Sequence, residues 1–198
     1  MVMRILLLGL LLQLASVCYA GNQQEEALSA SVQAMMQKSI SDQAAPRLIF
    51  DNQDEAKIWL DEMSSRLKKR IPDDNYRMDF LKSVHYEATR AGLDPQIVLG
   101  LIQVESAFKK YAVSSVGARG YMQVMPFWVK SIGNSEHNLF DMRLNLRYGC
   151  TILRHYLDME HGDYYRALGR YNGSLGKPAY PSMVVGAWKK YWSYTKYS

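Results

Sequence analysis

One acidic residue on an apolar helical stripe is the first place in this chain where chemistry can be expected. Asp94-Pro95 opens a segment that runs to Ser106, with Asp94 as N-cap and Pro95 at the first helical position. Ile97, Val98, Leu101 and Ile102 fall at helical spacing and define its buried face. Glu105 lies three and four residues beyond Ile102 and Leu101, so it continues that face. A carboxyl group there is costly to ionise and holds its proton more tightly than a solvated one. Such a group can protonate a leaving group and then take a proton back. The competing reading is a frayed helix end that turns Glu105 to water.

Two further segments accompany Glu105-Ser106-Ala107-Phe108. One is Gly117-Ala118-Arg119-Gly120-Tyr121-Met122-Gln123-Val124-Met125-Pro126, and the other is Arg170-Tyr171-Asn172-Gly173-Ser174. Taken singly, each has a structural explanation. Met122, Met125 and Phe127 would serve as core, and Gly117 and Gly120 would turn a loop. Asn172 or Gly173 would take the left-handed position at a helix end.

The elements that must position these segments are helical nearly throughout. Leu28, Val32, Met35, Met36 and Ile40 allow a weak amphipathic helix within 21–53, a Gln-, Ser- and Ala-rich stretch expected to be a loosely ordered appendage or linker. Helices are expected over Ala56–Lys69, from Asp74 or Asn75 to Gly92, over Met122–Lys130, Asp141–Glu160 and Asp163–Tyr171, and between Tyr180 and Tyr194. No stretch alternates strongly enough to require a sheet, and residues 54–198 suffice for one hydrophobic core. The expected class is all-α.

Composition narrows the setting. Arg4 followed by the apolar run Ile5–Leu14 and the small residues ending at Ala20 reads as a signal peptide over 1–20, with a mature start at Gly21. The protein is therefore expected to be exported to the periplasm or cell envelope. Lipid attachment at Cys18 is disfavoured because Val17 is larger than the residue expected before it. The formal charge of +5 suits an anionic partner such as wall polymer or membrane surface; nucleic acid would rest on charge alone and is not expected. Cys150 is the one cysteine after the signal and reads as a small buried hydrophobe. His85, His137, His155 and His161 are scattered without metal spacing, so neither a metal nor another cofactor is expected.

In their order and spacing, the three segments resemble the lytic transglycosylases of the soluble type, whose catalytic domain is lysozyme-like. That family carries E-S-x-F, then G-x-x-G-L-M-Q-V/I/L-M-P, then A-Y-N-x-G. The likeness spans about Asp79–Trp188. It implies a lysozyme-like helical domain over 54–198 that acts on peptidoglycan glycan strands. The implied reaction cleaves the β-1,4 bond between N-acetylmuramic acid and N-acetylglucosamine and leaves a 1,6-anhydro end. By the same resemblance, Glu105 is the single catalytic acid/base, and Ser114, Gln123, Met125, Tyr171 and Asn172 contact substrate or orient the site. The chain departs from the pattern at Tyr121, where leucine is usual, and at Arg170, where alanine is usual. A buried Tyr121 hydroxyl would need a partner, and Arg170 would bring a cation near the groove. Glu87, Asp141, Asp158 and Asp163 are possible acidic neighbours, read as caps or surface residues. Tyr164, Tyr165, Tyr171 and Tyr180 are candidates to stack on sugar rings, and Trp188, Tyr191 and Trp192 read as a packed tail. A true hydrolase on the same fold and an inactive wall-binding protein are the alternative readings.

Overall fold

The computed structural model describes residues 23–42, 44–48 and 53–194; the expected signal peptide, Cys18 and Gly21 lie outside them. Eight α-helices follow one another among the described residues: α1 (Ala30–Ser41), α2 (Gln53–Leu67), α3 (Asp74–Arg90), α4 (Pro95–Ser106), α5 (Phe127–Ile132), α6 (Met142–Met159), α7 (Tyr164–Asn172) and α8 (Ala179–Ala187). A π-helical turn, Trp188–Trp192, continues α8. The only β pairing among the described residues is two isolated bridges, Val113 with Arg119 and Arg119 with Val124. The class is all-α, as the sequence implied.

Helix α4 is the central element. Ile97, Val98, Leu99, Gly100, Leu101 and Ile102 are all buried, so the helix is enclosed round its circumference and not only along one stripe. Each large aliphatic side chain buried in this way contributes about 1.5–3 kcal/mol. Helix α3, helix α8 and the π-helical turn pack against it. Gly100 makes the last approach possible: a Cβ there would lie 3.0 Å from the Trp188 backbone nitrogen and 3.1 Å from the Val184 carbonyl oxygen.

Side-chain caps set the helix starts. Asp73, Asp94, Asp141 and Asp163 accept from backbone N–H groups at the starts of α3, α4, α6 and α7. Asp141 and Asp163 thus have the structural roles expected of them. The helix expected over Met122–Lys130 is shorter and later, beginning at Phe127. The segment before it cannot be helical, because Gln123 has a left-handed backbone with φ 49° and Arg119 pairs with Val124.

Part of the 21–53 stretch is docked rather than loose. Met36 and Ile40 of α1 are each 1% exposed, and α1 packs on α5 and α6. The Gln33 side chain donates to the Ser131 carbonyl at 2.7 Å, and Arg90 donates to the Ser39 carbonyl at 3.0 Å. Two buried apolar side chains on a short helix, with polar ties at both ends, hold a weakly amphipathic sequence that would not be helical alone.

Glu87 also differs from the surface reading. It is fully buried in α3 and forms ion pairs with Arg147 of α6 at 3.0 Å and Arg90 at 2.8 Å. Arg147 further donates to the Ile40 carbonyl at 3.4 Å, so this charge cluster joins α1, α3 and α6. Cys150 is buried on α6, and burial pushes its thiol well above the usual range, as a hydrophobe-like cysteine requires.

Candidate functional site

Glu105 occupies the last turn of α4 at 1% exposure, so the frayed-end reading does not hold. The helix stops immediately after it because Ala107 and Phe108 turn left-handed, with φ 49° and 65°. Phe108 then inserts between Phe80 and Trp192, with ring centroids 6.0 and 5.3 Å away. Ser106 donates its hydroxyl to the Ile102 carbonyl at 3.1 Å. Aromatic packing therefore fixes the end of the helix that carries the acid.

The Tyr180 hydroxyl of α8 donates to Glu105 Oε1. Burial first, then the Glu105 charge and this hydrogen bond, hold the Tyr180 hydroxyl well above its ordinary pKa, so it stays a donor. Sequence alone makes Tyr180 one of several stacking candidates. No short motif marks it, and the contact arises because α8 lies along α4. Tyr171 of α7 is fully buried and donates to the Met122 carbonyl at 2.7 Å. Burial and then the Glu105 charge raise its pKa strongly, which sets Tyr171 in the electrostatic neighbourhood of Glu105. Asn172 is buried at the end of α7, and Gly173 closes that helix with φ 75°.

The loop from Ala112 to Met125 meets this cluster where the Met122 carbonyl accepts from Tyr171. Ser114 accepts the Ala118 N–H at its hydroxyl oxygen at 3.0 Å and so braces the turn in which it lies. Gln123 is 1% exposed, and its side-chain NH2 donates to the Ala112 and Gly120 carbonyls at 3.1 and 2.9 Å. Its side chain ties the loop together, while its carbonyl and the Met125 N–H both meet the Gln23 carboxamide at 3.4 Å. Met125 itself is half-buried.

Asn145 holds this loop from below, and no sequence motif points to it. It is fully buried on α6, donates to the Arg119 and Leu139 carbonyls at 2.8 and 2.9 Å, and accepts the Met122 N–H at 2.8 Å. The available signal is one amide side chain between Leu144 and Leu146. Gly120 must approach this amide closely: a Cβ there would lie 2.4 Å from Asn145 Nδ2, and its φ is 76°.

Both departures from the family pattern are accommodated. The Tyr121 hydroxyl meets the Tyr76 hydroxyl at 2.8 Å while its ring packs 4.8 Å from Phe80. Arg170 pairs with Glu160 and, at 3.6 Å, with Glu26, so its charge is already matched. Arg166 also pairs with Glu160, and the two arginines hold that carboxyl below its ordinary range. Asp158 pairs with Arg154 on the surface. Trp192 is fully buried and donates its indole N–H to Gln103 Oε1 at 2.9 Å, so the tail packs there, whereas Tyr191, also expected to pack, is exposed. Among the described residues no group of His, Cys, Asp or Glu could hold a metal ion.

Similarity to known proteins agrees with these features. Residues 82–180 match the family described as Transglycosylase SLT domain, which takes in Glu105, the Gly117–Pro126 block and Tyr171 through Tyr180. The chain belongs to that family. It is 35% identical over 115 residues to a transglycosylase of Enterobacteria phage PRD1, covering 54% of this chain and 42% of that protein. It is 49% identical over 47 residues to membrane-bound lytic murein transglycosylase C of Actinobacillus pleuropneumoniae, covering 24% of this chain and 13% of that protein. The chain thus spans less than half the length of these relatives. A solved structure of an inactive mutant of the lytic transglycosylase Slt from Pseudomonas aeruginosa aligns with a TM-score of 0.45 and 17% identity, over 85% of this chain and 36% of that one.

Proposed function

We propose that this protein is a peptidoglycan lytic transglycosylase in which Glu105 is the single general acid/base. The observation that carries the proposal is the Glu105 carboxyl itself, withdrawn from water at the end of α4 and hydrogen-bonded by Tyr180. Burial disfavours the charged form, whereas hydroxyl donation favours it, so such a group can both give and take a proton.

In the first step, the protonated Glu105 gives its proton to the glycosidic oxygen between N-acetylmuramic acid and N-acetylglucosamine. The bond from that oxygen to the muramic C1 breaks, and the N-acetylglucosamine side leaves as an alcohol. In the second step, the muramic C6 oxygen bonds to C1 and its proton passes to the Glu105 carboxylate. The products are a 1,6-anhydro end and a regenerated acid. The nucleophile lies within the substrate, so the scheme needs neither a held water nor the second carboxyl group of most glycosidases. The other acids considered as neighbours support this reading, because each is occupied structurally. Glu87 binds Arg90 and Arg147, Asp158 pairs with Arg154, and Asp141 and Asp163 cap helices.

Tyr180 orients the acid and Tyr171 ties the neighbouring loop through the Met122 carbonyl, while the Gln123–Met125 segment and Asn172 line the groove for the glycan. Ser114 shapes the loop that forms its wall. The expected signal peptide would carry the protein to the envelope, where its substrate is. No helix among the described residues is long and apolar enough to cross a membrane. Mass spectrometry of material released from purified sacculi tests the reaction. Anhydro-muropeptides are expected; reducing ends in their place would indicate a hydrolase and overturn the scheme.

A further inference from the structure

The polar segment before α1 buries one side chain and exposes its neighbours. Gln24, Glu25 and Glu26 are exposed, whereas Gln23 is 4% exposed. Its carboxamide is gripped from several sides. The Gln23 Nε2 donates to the Gln123 carbonyl at 3.4 Å. Its Oε1 accepts from the Trp128 indole N–H at 2.9 Å and from the Met125 N–H at 3.4 Å. It also lies within hydrogen-bonding reach of the Tyr171 side chain. Three residues later, Glu26 pairs with Arg170 at 3.6 Å.

A carboxamide is planar and presents a donor and an acceptor in one plane, as does the acetamido group of an N-acetylated sugar. The cradle offers one carbonyl and two N–H groups without a net charge, a set complementary to an amide and not to a carboxylate or an ammonium group. It is built on the same Gln123–Met125 segment that the proposed function gives to the glycan. We infer that the Gln23 carboxamide is an internal competitor, holding a position that takes an acetamido group of the glycan, and that Gln23 must leave before that group can enter. This inference rests on the transglycosylase reading of the site.

The chain is arranged for such an exchange. Helix α1 stays anchored through Met36 and Ile40, so the segment is tethered and its local concentration at the cradle is high. Its bonds are neutral hydrogen bonds and one ion pair with Glu26 largely exposed, which contribute modestly. A docked state favoured on the order of 10-fold lowers apparent glycan affinity by the same factor.

The test measures binding of an N-acetylglucosamine hexamer, and of the same hexamer without its acetyl groups, by calorimetry. The full chain carries Glu105→Gln so that nothing is cleaved. Adding Gln23→Ala is expected to tighten binding of the acetylated hexamer about 10-fold, the factor set by the docked population. Adding Gln23→Glu is expected to act alike, because a carboxylate faces the Gln123 carbonyl. Glu25→Ala, on an exposed side chain, leaves the affinity unchanged, and the deacetylated hexamer shows no gain with any variant. Equal affinities with and without Gln23, or no binding to either form, overturn the competitor. The sacculus product assay on the wild-type chain reports separately: anhydro products alongside equal affinities leave the enzyme reading intact and remove only the competitor.

Discussion

Substituting Phe for Tyr180 removes a single oxygen from a ring that is 2% exposed and leaves the packing of α8 on α4 in place. The lost group is the donor to Glu105 Oε1. A hydrogen bond to a charged group contributes about 1.5–3 kcal/mol. The bond is strongest when Glu105 is a carboxylate, the form it takes between the two steps of the proposed reaction. At about 1.4 kcal/mol per tenfold, the turnover rate should fall on the order of 10- to 100-fold. The pH profile supplies a readout that packing alone would not move. Donation from a hydroxyl favours the charged acid, so its removal should shift the alkaline limb, where Glu105 loses its catalytic proton, to higher pH. Release of soluble muropeptides from purified sacculi, followed as a function of pH, measures both effects, and a thermal melt checks the fold. A folded Tyr180→Phe protein with the wild-type rate and an unmoved alkaline limb would refute the coupling.

Three further outcomes follow from the packing. Asn145→Leu strips the buried partner from the Leu139 carbonyl and the Met122 N–H and removes one of two donors from the Arg119 carbonyl, at about 1–3 kcal/mol for each group left unsatisfied. A drop in melting temperature accompanied by loss of activity is expected, and an unchanged melt would show that the loop finds other partners. Glu87→Gln removes the countercharge from Arg147 and Arg90 in the core and should destabilise the fold by about 3–5 kcal/mol in denaturant unfolding. Unfolding curves that overlay the wild type would show that this buried charge cluster does not hold the three helices. His85 packs edge-on against Trp59, and burial lowers its pKa to about 4, from 6.5. Between those values the unfolded chain binds a proton that the folded chain does not, so stability is full above 6.5 and falls as the pH drops towards 4. His85→Leu should flatten that part of the stability curve; an unchanged slope would assign it to other groups.

How far the sequence discloses the structure depends on where the physical causes lie. The caps Asp94, Asp141 and Asp163 and the stop at Gly173 act within one turn of themselves, so spacing alone locates α4, α6 and α7 closely. Glu105 is legible because its own helix carries the stripe that buries it. Tyr180 as its partner is not, since that contact depends on how α8 crosses α4. The helix expected over Met122–Lys130 fails because a Met- and Val-rich run has helical spacing, while the Gln123 amide closes the same residues into a loop. Glu87 looks like a surface residue because its two arginines are three and sixty residues away, and only the fold brings the distant one to it. Gln23 carries no signal at all: a glutamine in a polar stretch looks solvated until Trp128, more than a hundred residues later, is seen to hold it.

The central claim concerns one proton on one side chain. Glu105→Gln keeps the size and shape of the group and removes its ability to supply and recover that proton. Mass spectrometry of sacculi treated with this variant and with the wild-type chain, at matched thermal stability, tests the claim most directly. Anhydro-muropeptides from the wild type and none above background from the variant are expected. A folded variant that still releases them at the wild-type rate would contradict the account.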